Sequence, residues 1–284
     1  MRDSLISYAL GALALLLAGP VAWLLTSGIV DASGGHGTTL LHASAVAPAL
    51  LRGLAAIAIA AAVGTLTARL SGLRGGLWNA GVVLAWAASG LGTVDQVLRA
   101  RESADGLLTT LAIEAAILAI PITLTAFACW RLSKEQHSHQ ESWTDLPGTG
   151  KATAIVLGVI ASAVATGVVA HLAMINNLKG QAIGASALGA LTGAVVVALL
   201  APRAPAWCAV GGAMLAGALG PVAAQFITPQ GQVSAAIHAW QLLGPARITA
   251  MDFAAGSLMG APIGLWIAGG LLERRSTTEA RLAG

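Results

Sequence analysis

The chain has 284 residues, of which 56% are hydrophobic and 10% charged, with a formal net charge of +3 and a mean hydropathy of +0.79. Soluble domains carry about 25% charged residues, so a water-exposed surface is excluded for much of this chain and lipid is its expected solvent. The 15 basic residues are scattered rather than gathered into a stripe, which argues against nucleic acid as a partner.

The first apolar run follows Arg2 and extends to about Thr26. That is long for the core of a cleaved leader, so it is expected to be the first span. Seven further runs qualify by length and apolarity: Ala45–Leu70, Gly76–Val97, Leu107–Trp130, Ala152–Met174, Ile183–Leu200, Ala206–Ile227 and Asp252–Leu272. Backbone groups in lipid must pair within their own segment, and these runs lack the alternation of a barrel strand. The expected fold is therefore all-α, a polytopic membrane protein with about eight transmembrane helices.

With the N-terminus in the cytoplasm, ten of the 15 basic residues fall inside, and five (Arg52, Arg99, Arg101, Lys179 and Arg247) fall outside or near the outer ends. This bias predicts both termini inside, with a bacterial plasma membrane as the location. The longest polar stretch, Arg131–Lys151, reads as a cytoplasmic linker, and His137 and His139 within it read as solvated. It divides the chain into a first four-helix half (1–130), the linker (131–151) and a second four-helix half (152–284).

The halves carry signs of duplication. A shift of 129 lays Arg74 on Arg203, Trp78 on Trp207 and Gln96 on Gln225, and a shift of 141 lays Pro121 on Pro262. Four spans per half would give the halves one orientation, a 4+4 parallel repeat about an axis along the membrane normal. The long loop Thr228–Met251 is expected outside, with a short amphipathic helix over Val233–Leu243 and Trp240 at the headgroup layer.

Ionisable residues inside spans are candidates for function because burying charge in hydrocarbon is costly. Glu114 lies about two turns, roughly 10 Å, below the outer end of its span, and Arg52 is at similar depth. An Arg52–Glu114 ion pair is expected if their helices touch. Asp95, His171 and Asp252 sit near other outer ends, so the five residues predict an outward-facing polar vestibule serving as a substrate or proton pathway. Pro121 and Pro262 are expected helix breaks, since proline removes a backbone donor. Gly256, Gly260 and Gly264, spaced by four, predict close helix packing within the chain or across a homodimer. Gly180, Gly184, Gly189 and Gly193 suggest a second small-residue face.

No metal or cofactor is expected. His36, His42 and Asp31 share a loop without convergent spacing, and Cys129 and Cys208 read as buried small hydrophobes. The stretch Gly148-Thr149-Gly150-Lys151 lacks the first glycine and the final hydroxyl of a phosphate loop. The leading functional expectation is a permease for a small solute. The alternatives are a non-catalytic integral subunit of a larger membrane complex, docked to other membrane subunits, and an intramembrane enzyme acting on a lipid or quinone.

Overall fold

The computed structural model describes residues 2–100, 104, 106–133 and 148–283. The greater part of the linker, with His137 and His139, lies outside the described residues. Among those described the chain is all-helical, without strands, and eight helices are long and apolar enough to cross a membrane. Such a chain is a multi-pass membrane protein in composition and build.

The first span runs as α1 (Arg2–Leu13), a π-helical turn at Ala14–Ala18, and α2 (Gly19–Ser27). The wide turn closes with Gly19 N–H on Ala14 O. It accommodates Pro20, which has no N–H to offer the preceding turn. The second span is α3 (Val46–Ser71). Gly72, at φ 101°, then turns the chain sharply into the third.

The third span is broken. Helix α4 (Leu73–Ser89) stops at Gly90, and the short α5 (Val94–Arg99) restarts after Thr93. Thr93 makes a reciprocal cap, its hydroxyl accepting from Gln96 N–H while Gln96 Oε1 accepts from Thr93 N–H. Replacing Thr93 with Ala is expected to cost about 1 kcal/mol. Hydrogen exchange should read this as faster opening of α5 amides, with α4 unchanged.

The remaining spans are α6 (Leu107–Leu132), α7 (Gly148–Ala173), α8 (Lys179–Leu200), α9 (Trp207–Ile227) and α11 (Ala250–Ala283). The short α10 (Val233–His238) lies between the last two. Helix α10 stops at His238, short of the expected Leu243. Trp240 takes a positive φ of 58° that no helix tolerates, and it is exposed. The loop after it turns inward: Arg247 is buried and donates to Asn177 Oδ1 at 2.8 Å and to the carbonyls of Met174 and Trp240 at 3.0 Å.

Pro121 and Pro262 do not break their helices. Both α6 and α11 continue across them, because one missing bond in an apolar surrounding leaves the rest of the ladder intact. The discontinuity falls instead at Gly90–Thr93, where two glycines weaken the helix and Thr93 caps a new one.

Small residues set the packing. Helix α11 lies against α8 and α4, α6 lies against α9, and α7 lies against α8 and α9. A side chain added at Gly256, Gly260 or Gly264 would run into Ser186, Ala187 or Leu191 of α8. Gly189 and Gly193 meet Thr166 and Ser162 of α7 in the same way, whereas Gly180 and Gly184 face open space. Cys129 and Cys208 are buried and unbridged. Large apolar side chains such as Leu16, Leu172 and Phe226 point outward at 72%, 72% and 87% exposure. That arrangement is unfavourable in water and natural against acyl chains.

Candidate functional site

The break in the third span creates a polar cavity of about 830 Å³ at one end of the bundle, the end opposite the chain's termini. Its walls come from both halves: Thr93, Asp95 and Gln96 from the first, and Asn177, Lys179 and His238 from the second. Asp95 is held between two side chains, with Arg99 Nη2 at 2.8 Å and His238 Nδ1 at 3.2 Å. The His238 contact fastens α10 to α5 across the cavity.

Lys179 reaches inward from the wall. Its ammonium donates to Asp252 Oδ2 at 3.1 Å and to the Gly92 carbonyl at 3.0 Å. Asp252 Oδ1 sits 3.0 Å away but off the hydrogen-bonding direction. Thr249 adds a 2.7 Å hydroxyl bond to Oδ2. The Gly92 carbonyl is available only because the helix is interrupted there. A single ammonium thus ties the break in the third span to the first turns of α8 and α11. Asp252 is 1% exposed and the Lys179 side chain 20%, so the pair stands at the boundary between cavity and core.

Glu114 lies in the core beside this pair, at 0% exposure, with Lys179 and Asp252 both within electrostatic reach. Its Oε2 accepts from Leu41 N–H at 2.9 Å, while Oε1 is buried with no hydrogen-bond partner. The Leu41 amide is delivered by the loop between the first two spans, which dips into the bundle so that Thr38, Thr39 and Leu40 are buried. Backbone contact holds the loop there, since Gly92 N–H donates to Thr38 O at 2.8 Å. At the loop's start, Asp31 accepts from Ser33 Oγ at 2.6 Å and from the amides of Ser33 and Gly35. The Ser33 hydroxyl first, then the Gly35 amide, keep its carboxyl below the usual range.

The five expected site residues therefore divide. Asp95 lines the cavity, Asp252 lies behind the lining residue Lys179, and Glu114 is within electrostatic reach of that pair. Arg52 and His171 stand apart. Arg52 is exposed and donates to Gly28 O at 2.8 Å, so the Arg52–Glu114 pair is not made. The 28–45 loop comes between them and offers an amide in place of the guanidinium. His171 is exposed and accepts from Gly244 N–H at 3.1 Å.

Two residues central to the site were missed in sequence. In sequence Lys179 reads only as one of the outer positive charges, yet in the fold it is the counter-ion of the site. Thr93 carries a T-x-x-Q capping signature directly after two glycines, which marks the helix break.

The arrangement belongs to the class of multi-pass helical bundles with an interrupted span and charged groups beside the interruption. Compared with known proteins, the chain matches no family model, no curated protein and no solved structure at a significant level.

Proposed function

We propose that the chain is a permease for a small polar solute that enters through the Asp95–Lys179 cavity, with the end carrying that cavity facing outward and both termini in the cytoplasm. The observation that carries this reading is the Lys179 ammonium bridging an interrupted span and two neighbouring helices at the floor of an open polar cavity. Discontinuous helices whose freed carbonyls meet charge are what transporters use to bind and release cargo. Replacing a buried ion pair by well-packed apolar residues is often neutral or stabilising, so keeping this one beside an open cavity favours a role beyond packing.

The reading includes a 4+4 repeat, with which the pattern of helix contacts is consistent. Carrying the first half onto the second takes the first span to α7, α3 to α8, α4 to α9 and α6 to α11. The α4–α11 contact then becomes α9–α6, α3–α4 becomes α8–α9, and α3–α6 becomes α8–α11, and each partner contact exists. The cavity lies between the halves, where rocking of one against the other would open and close it.

The subunit reading gains less support. The glycine seam of α11 is filled by α8, and residues 244–251 of the outer loop are buried, while 238–241 remain exposed. The seam that would most readily dock a partner is engaged within the chain.

Proteoliposomes challenged in turn with amino acids, sugars and small organic anions test the proposal. At least one solute should give a transport current that Lys179→Met abolishes. Arg52→Ala, outside the cluster, should leave it within about twofold, the scale of surface substitutions. A wild-type chain that moves none of them, or that co-purifies with other membrane chains in mild detergent, would turn the reading toward a subunit.

A further inference from the structure

The buried charges beside the cavity do not balance. Glu114 and Asp252 are both carboxylates, and Lys179 is the ammonium that answers them. Arg52 faces away toward Gly28. Lys179 is already committed to Asp252 and the Gly92 carbonyl, which leaves Glu114 one positive charge short in a medium where an uncompensated carboxylate is costly. Its Oε1 has no partner and no solvent. Its Oε2 faces the Leu41 N–H, whose positive end repels a metal cation. A proton meets both conditions, since it neutralises the group and needs room for one hydrogen.

A route for that proton is present. The Thr39 hydroxyl is the side-chain neighbour of the Glu114 carboxyl, and Thr39 Oγ1 lies 2.9 Å from His42 Nδ1. His42 belongs to the same inward-dipping loop and is half-buried, and neither it nor Thr39 lines the Lys179 cavity. We propose that Glu114 is a proton-binding site loaded from the His42 side through the Thr39 hydroxyl, and not through the cavity that admits solute.

In the loading step the imidazolium N–H of His42 passes its proton to Thr39 Oγ1, and the hydroxyl proton of Thr39 passes to the Glu114 carboxylate. His42 ends neutral, Thr39 keeps one hydroxyl proton, and Glu114 ends as a carboxylic acid, so one positive and one negative charge vanish together. Rotation of the hydroxyl resets the relay. With Glu114 protonated, Lys179 answers Asp252 alone; with Glu114 ionised, it faces two carboxylates. Proton loading therefore acts directly on the residue that ties the helix break to α8 and α11. This deepens the permease reading by naming its coupling ion, and rests on that reading only for the coupling.

The test uses the full chain in lipid nanodiscs and needs no flux. A hydrophobic carbodiimide, which modifies protonated carboxyls in apolar surroundings, should label Glu114 in the wild-type chain. Peptide mass mapping should find the label forming several-fold faster in mildly acid than in alkaline buffer, and equally in sodium and choline chloride. In infrared spectra the carboxyl band removed by Glu114→Gln should exchange with deuterium roughly a hundredfold more slowly in Thr39→Val and His42→Ala, the scale a positioned proton carrier contributes. Asp95→Asn should leave that exchange unchanged. The proposal is overturned by absence of label at every pH, by protection with sodium, or by exchange that slows in Asp95→Asn and not in Thr39→Val. If Glu114→Gln does not fold, the wild-type mapping still identifies the labelled residue. Since neither readout requires a transported solute, the proton site can stand where the permease reading fails, and the reverse.

Discussion

Lys179→Met alone is expected to destabilise the protein by about 3 kcal/mol, and adding Asp252→Asn to recover more than half of that loss. The single change leaves Asp252, 1% exposed, without its cation, and also strips the Gly92 carbonyl of its donor. Thr249 still supplies one hydroxyl bond, but one neutral donor does not replace an ammonium 3.0 Å away. Proton uptake by the abandoned carboxyl limits the cost. In the double variant the side-chain amide introduced at position 252 can remain bonded to Thr249 with no charge to compensate. Thermal unfolding of the four proteins in one detergent gives the coupling energy. Additive losses would mean that the two side chains act independently, and would remove the tie on which the solute site is built. The double variant should fold and still fail to transport, which separates the structural role of the pair from its role in moving solute.

Gly260→Val is expected to abolish assembly of the bundle. The added side chain would meet the Ala187 carbonyl and the Ala187 Cα of α8, and these are backbone atoms with no rotamer to yield. Overpacking ordinarily costs about 1–3 kcal/mol, and forcing two helix backbones apart lies at or above the upper end. Gly256 and Gly264 stand on the same face, so separation at one point unseats all three. Gly184→Ala is the matched control. It faces open space and should raise stability by roughly 0.5–1 kcal/mol through helix propensity alone. Thermal unfolding together with light-scattering mass distinguishes the origins of the effect. A seam between two copies would leave Gly260→Val folded at half the mass, whereas a seam between α8 and α11 of one chain gives loss of the folded form.

Much of the architecture was legible in the amino-acid sequence because the solvent writes it there. A span must be long and apolar whatever its neighbours, so the run from Leu107 announced a helix that begins at that residue, and the run from Ala206 one that begins at Trp207. The glycine face of the last helix was legible for a similar reason, since spacing by four has one geometric meaning on a helix. The site was less so. Asp95, Glu114 and Asp252 stood out as charges in apolar runs, but partnership between charges depends on which helices touch. Depth alone paired Glu114 with Arg52, and the 28–45 loop between α2 and α3 intervened with an amide instead. The proline signal misled because a helix in an apolar environment holds its remaining hydrogen bonds, so α6 and α11 run through Pro121 and Pro262. The true interruption was encoded more quietly, in Gly90, Gly92 and the cap at Thr93.

Local composition alone dictated the membrane class, the count of spans and which residues are costly to bury, because each of these is a transfer free energy summed over one segment. Contacts between distant segments were needed to give those costly residues their partners. Lys179 and Asp252 are 73 positions apart, and Leu41 and Glu114 are likewise separated by 73. A charge in a low-dielectric interior is stabilised only by what lies within a few ångströms of it, and that neighbourhood exists only once the helices have packed.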